Sequence, residues 1–150
     1  DSTVKYLTQL GLDNSSARIY PVNTVLYAMY ASIGECSIAK VELASSQAIL
    51  GIRPSAQLHF EFLYFYLCSL KELQGQQGTQ ANLNAGMVKE FLIPLPSINE
   101  QRQIASVLCL ADNELAIIQL QLENLKQQKK ALMQQLLTGK RRVKVDEAAA

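Results

Sequence analysis

The sequence predicts an α+β fold: a small mixed domain followed by one long coiled-coil α-helix. Three observations predict it. In the first half, short runs rich in β-branched and aromatic residues alternate with turn signals. Over residues 56–74 the apolar residues change to helical spacing. Residues 98–138 contain neither Gly nor Pro and carry apolar residues alternately three and four positions apart. With 150 residues, 49% hydrophobic and 18% charged, the chain is too apolar for disorder and long enough for one core and an appended element.

The elements follow in order. Residues 4–10 form a short amphipathic segment that Gly11 should stop, and Asp13-Asn14-Ser15-Ser16 is a polar turn cluster leading into a strand. Residues 25–30 read as a strand, Ile33-Gly34-Glu35 as a tight turn, and 37–41 as the returning strand. A further strand over 48–52 is closed by Arg53-Pro54. Residues 56–74 read as one largely buried helix, with Leu58, Phe62, Phe65 or Tyr66, and Ser69 or Leu70 on its inner face. Gly75 and Gly78 bound a loop. Asn84 is placed to cap a short helix through Glu90, and residues 91–95 read as a last strand before Pro94-Leu95-Pro96 ends the domain.

Beyond that boundary Ser97-Ile98-Asn99-Glu100 is a capping box, and Gly139 is the expected C′ residue of the helix it opens. Such a helix is about 60 Å long at 1.5 Å per residue. Ile104, Leu108, Ala111, Leu115, Ile118, Leu122, Leu125, Lys129, Leu132 and Leu136 form its heptad seam, with Lys129 as the polar exception. A stripe of this length needs cover, because each buried Leu is worth about 1.5–3 kcal/mol. An intramolecular hairpin would need a second long helix, and the rest of the chain offers none. A partner in another chain, or in a missing part of the same polypeptide, is therefore expected. The glutamines flanking the seam (Gln119, Gln121, Gln128, Gln135) give weak guidance on orientation. Leu110, Ile117 and Leu120 lie off it, so more than one neighbour is expected around the first half of the helix. The expected organisation is a domain over 1–96, the helix over 97–139 and a basic tail over 140–150.

Charge excludes a wide electrostatic footprint. Lys+Arg 14 against Asp+Glu 13 leaves a net charge of +1, and the tail cluster Lys140, Arg141, Arg142 and Lys144 is the densest basic stretch. A nucleic-acid binder of this balance would use few phosphate contacts or rely on other subunits. Three cysteines, Cys36, Cys68 and Cys109, lack motif spacing, which favours a reduced, cytoplasmic setting over a disulfide framework. No secretory signal opens the sequence, and the absence of an initial Met points to a processed or shortened chain. Phe60–Leu70, taken as the most apolar stretch, is about half the roughly 20 residues of a spanning helix and contains Glu61, so no membrane span is expected. His59 has no second ligand at metal spacing and reads as an ordinary helix-start or surface residue. No nucleophile–base pair, paired carboxylates or phosphate-binding glycine motif occurs; Gly75-Gln76-Gln77-Gly78 lacks the Lys-Ser/Thr of a P-loop.

Several segments carry a family resemblance. Gly78-Thr79-Gln80-Ala81-Asn82-Leu83-Asn84, a short helix, and then Ile93-Pro94-Leu95-Pro96-Ser97-Ile98-Asn99-Glu100-Gln101-Arg102-Gln103-Ile104 form one set. Upstream stand Leu10-Gly11-Leu12-Asp13-Asn14-Ser15-Ser16-Ala17-Arg18, Val25-Leu26-Tyr27-Ala28-Met29-Tyr30-Ala31-Ser32-Ile33-Gly34 and Ser46-Gln47-Ala48; Leu136-Leu137-Thr138-Gly139 closes the order. Together they resemble the specificity (S) subunits of type I restriction–modification systems, in the C-terminal part of a target recognition domain joined to its conserved helix. Ser97 replaces the second proline usual at the domain exit, and Glu35 stands where the family often has a basic residue.

The resemblance implies a non-catalytic subunit that selects a split double-stranded DNA target. Its long helices would pair antiparallel as a ruler and hold methyltransferase subunits, and through them restriction subunits. S-adenosylmethionine, ATP and magnesium would belong to those partners, and no cofactor to this chain. Amide and hydroxyl side chains suit base edges, since Gln and Asn pair with adenine and Arg with guanine. Candidate DNA contacts are Ser15, Ser16 and Arg18 in the first polar turn, Thr79, Gln80 and Asn82 in the Gly-bounded loop, and Lys40 and Lys89 for phosphate. Each also has a plain structural role open to it, as a turn, cap or solvated lysine. The heptads alone equally support a coiled-coil assembly module with an α+β head and no nucleic-acid role.

Overall fold

The structure, a computed structural model, describes residues 6–30, 32–75 and 84–144. The chain divides into two compact units, Asp1–Leu108 and Cys109–Ala150. Among the described residues the first holds five short strands, three helices and the start of a fourth: α1 (Gln9–Asp13), β1 (Arg18–Tyr20), β2 (Val25–Ala28), β3 (Cys36–Ile38), β4 (Leu43–Ser45), β5 (Ile49–Ile52), α2 (Phe60–Gly75), α3 (Ala85–Lys89) and α4 (Ile98–Leu137). The α+β class stands, with a small sheet domain and one long C-terminal helix.

Two antiparallel sheets form. One is three-stranded in the order β3-β2-β5, with Val25 opposite both Ile38 and Ile52; the other pairs β1 with β4. The hairpin from β2 to β3 closes at Gly34, whose φ of 82° is a left-handed conformation that glycine adopts without a Cβ penalty. Gly51 on β5 has a different reason to be glycine. A Cβ there would lie 2.1 Å from the Tyr20 ring on β1, so its bare backbone lets the two sheets meet.

Strand alternation and helical spacing build the core together. Val25, Tyr27 and Met29, two residues apart, face Leu63 and Leu67, four apart on α2, and Val88 of α3 closes the cluster. Burying each of these Leu side chains contributes about 1.5–3 kcal/mol. Tyr27 meets Phe91 edge-on, with ring centroids 6.3 Å apart.

The sequence expectations need correcting in several places. Gly11 does not stop the first segment: it lies inside α1, where its N–H donates to the Thr8 hydroxyl in an N-cap bond of 3.1 Å. β4 has no counterpart in the expectations, because Leu43-Ala44-Ser45 is too short to show a period. Helix α2 begins at Phe60, not at 56, since a turn from Ser55 to Leu58 intervenes. Its buried row is Phe62, Leu63 and Leu67, while Phe65 and Tyr66 are half-buried and Ser69 is exposed.

Residues 91–95 form no strand. Phe91 and Ile93 pack against the core, and the Leu92 carbonyl accepts from the Tyr66 hydroxyl at 2.8 Å. Pro94 and Pro96 lack the N–H a ladder needs, so side chains hold this segment. The membrane exclusion also overlooked a stretch: an 18-residue window of α4 has a mean hydropathy of 1.2, so by length and composition alone that helix is apolar enough to cross a membrane.

The caps formed as the residues require. Asn84 accepts from the Met87 N–H at 3.0 Å and starts α3. The Glu100 N–H donates to the Ser97 hydroxyl at 3.3 Å, and Gly139, with φ of 72°, ends the long helix.

Candidate functional site

The site has two parts: polar residues of the head, and the apolar stripe of α4. Both depend on how α4 starts. Gln101 lies in its second turn and is fully buried. Its Oε1 accepts from the His59 N–H at 2.8 Å, and its Nε2 donates to the Gln57 carbonyl at 2.9 Å and to the Pro96 carbonyl at 2.8 Å. One amide thus fastens the start of α4 to the entry of α2. Ala105, one turn on, is also fully buried, so this face of α4 is the one packed on the head. His59 is a half-buried residue at the start of α2.

The seam uses another face. Ile104 and Leu108 are exposed, 37% and 38%, and Leu115, Ile118, Leu122 and Leu125 more so, at 49–61%. Ala111, Leu132 and Leu136 are exposed as well. Nothing among the described residues covers the stripe. Leu110, Ile117 and Leu120 are exposed too, at 57–65%, so among the described residues the off-seam positions of the first half have no cover either.

The head candidates fall on separate elements. Ser15 follows α1; its hydroxyl donates to the Leu12 carbonyl and accepts from the Ala17 N–H, a turn role, while Ser16 beside it is exposed. Arg18 opens β1 opposite Ser45, and its side chain is exposed. Lys40 follows β3 and Lys89 ends α3, both exposed. Thr79, Gln80 and Asn82 lie outside the described residues. No hydrogen bond or ion pair joins any two of the described candidates. The expected loop's first boundary, Gly75, is the last residue of α2.

Electrostatics mark Tyr27. Its phenol is held above the ordinary value, first because burial penalises the phenolate and then because of Cys36. This is a core effect, since Tyr27 belongs to the buried cluster of the first unit. Gln101 is the residue that sequence reasoning named only within a motif. The signal was available: an uncharged amide directly behind a Pro-x-Pro exit and a capping box, at the point where α4 leaves the domain.

Comparisons with known proteins give the family context. Residues 2–127 match the family model described as the type I restriction modification DNA specificity domain. The chain is 34% identical over 113 residues to the type I restriction enzyme MjaIX specificity subunit of Methanocaldococcus jannaschii, covering 71% of this chain and 26% of that protein. It is 30% identical over 135 residues to the putative MjaX specificity subunit of the same organism, covering 87% of this chain and 32% of that protein. The chain therefore spans about a quarter to a third of the length of these curated relatives. Among solved structures it is similar in fold to the HsdS subunit from Thermoanaerobacter tengcongensis, with a TM-score of 0.62 at 21% identity over 78% of this chain and 30% of that one.

Proposed function

The chain belongs to the type I restriction modification DNA specificity domain family, and from that premise we propose that it selects one part of a bipartite double-stranded DNA target and directs methyltransferase and restriction subunits to it. The observation that carries the reading is the family match over residues 2–127, which takes in the head and most of a helix whose apolar stripe no described residue covers. The head, residues 1–96, reads sequence. Ser15, Ser16, Arg18, Thr79, Gln80 and Asn82 are the candidates for base or backbone contact, and Lys40 and Lys89 for phosphate. The helix, 97–139, pairs antiparallel with another such helix and holds the methyltransferase subunits, and 140–150 is a basic tail. This pairing, and not a bilayer, is the cover we assign to its apolar faces. Lys126, Lys129 and Lys130 fit a water-exposed edge better than a hydrocarbon core.

The chain carries no reaction of its own. S-adenosylmethionine, ATP and magnesium serve the partner subunits, and the complex works in the cytoplasm. The test is a genome-wide map of methylated adenines for the parent and for a Gln80→Ala/Asn82→Ala variant in the assembled complex. Each lost bidentate contact should relax one base position by about 1–3 kcal/mol, with assembly retained. A variant that methylates the parent's target with full selectivity would remove these two residues from the reading. A parent whose presence leaves the map unchanged would remove the function itself.

A further inference from the structure

A cleft of about 340 Å³ opens in the first unit where α2 and α4 both begin. Phe60, the first residue of α2, and Ile98, the first residue of α4, line it. Arg53 and Arg102 line it as well, and both side chains are exposed. Two features share a positive sign. Two helices begin there, and the N-terminus of a helix carries about half a positive charge on unsatisfied N–H groups. Two guanidiniums present planar donor forks that match an oxyanion. None of the described residues lining the cleft is acidic, although Glu61 and Glu100 occupy the first turns of the two helices. His59 lines the cleft too, and its buried Nδ1 lacks a hydrogen-bond partner among the described residues, so one polar atom is left unsatisfied.

We propose that this cleft holds a backbone phosphate of duplex DNA, clamped by Arg53 and Arg102. The proposal rests on the DNA-recognition reading above and deepens it by placing a phosphate grip. The head is close to electroneutral, so its hold on DNA must be local, and here two cations share one cleft. The remaining lining is largely apolar, with Val22, Pro54 and Leu58 suited to a deoxyribose face. Gln101 explains the placement: by tying the start of α4 to the entry of α2, it sets Arg102 beside the loop that carries Arg53.

The experiment uses the chain assembled with the methyltransferase subunits of its system. Affinity for a target duplex and for an unrelated duplex is measured across a salt series for the parent, R53Q, R102Q and the double variant. The double variant should lower the slope of log affinity against log salt by about 1, either single variant by no more than that, and all should weaken both duplexes alike. The methylated sequence should stay the same. An unchanged slope overturns the phosphate grip while leaving DNA recognition intact. So does relaxed base choice at constant slope, which would make the arginines base readers. A parent complex that fails to bind duplex DNA overturns the recognition reading itself.

Should a variant not assemble, neutral methylphosphonate linkages scanned along the duplex test the parent directly. One linkage should weaken its binding by about an order of magnitude at low salt, and a scan with no such position overturns the proposal. Inorganic phosphate, titrated into the parent complex, separates the sources. Competition with DNA supports the site. Saturable phosphate binding at the cleft that leaves DNA affinity unchanged reveals a small-anion site and overturns the assignment, as does preferential binding of an acidic peptide there.

Discussion

The amide of Gln101 satisfies three backbone groups drawn from two segments, 57–59 and Pro96. Replacing it with Leu fills similar space and strands an N–H and two carbonyls. Leaving buried polar groups unpaired costs about 1–3 kcal/mol each when water cannot reach them. Gln101→Leu should therefore lower stability by about 3 kcal/mol, read as a fall in the urea midpoint at constant slope. A loss under about 0.5 kcal/mol would mean that water replaces the amide. Tyr27 makes a pH prediction. Its phenol is raised in the folded state, chiefly by burial and secondly by Cys36. The folded state favours the neutral form, so this contribution is complete below the unfolded value near pH 10 and is lost as pH climbs through the higher folded value. Tyr27→Phe should flatten the alkaline limb of the stability curve above about pH 10. Parallel alkaline losses in both proteins would assign the limb to other groups.

At the scale of the element, α4 is the simplest case. Its limits follow from caps at both ends, and its seam from spacing alone. Leu115 and Leu122 are exposed by 57% and 49%, so a charge at either site should leave the isolated helix little changed and act only where a partner would cover it. Leu115→Asp/Leu122→Asp should abolish self-association, since a buried carboxylate without a partner costs several kcal/mol. Light scattering decides it, and an unmodified chain that is monomeric at micromolar concentration would defeat the pairing. Inserting one heptad after Leu122 adds about 10 Å to the helix. In the methylation map the two target halves should stay the same and move apart. A change in the bases read at constant spacing would contradict the ruler role. Residues 91–95 teach the opposite lesson. Their apolar run reads as a strand, yet the two prolines deny it a ladder and Tyr66 takes the Leu92 carbonyl instead.

The molecule as a whole divides chemistry between its parts, with dispersed polar side chains on the head and an exposed apolar stripe on the helix. Among the described residues no cluster of three His, Cys, Asp or Glu side chains could hold a metal ion. The purified chain is predicted to show no nuclease, methyltransferase or ATPase turnover above a mock preparation. Turnover that follows the protein through purification and disappears on one substitution within it would overturn that expectation.

Sequence by itself determined what neighbours in the chain decide: the caps at Asn84 and Ser97, the stop at Gly139, the β2–β3 hairpin and the heptad seam. Each depends on residues a few positions apart, whose geometry is set by the pitch of a helix or the pleat of a strand. Only the tertiary structure decided which row of α2 is buried, that β1 and β4 pair, and that Gly51 yields to the Tyr20 ring. It alone joined Gln101 to His59, 42 positions away, and brought Arg53 and Arg102 to one cleft. Such contacts leave no periodic trace, because they arise when packed elements bring distant positions together, and their energy comes from burial that no local window contains.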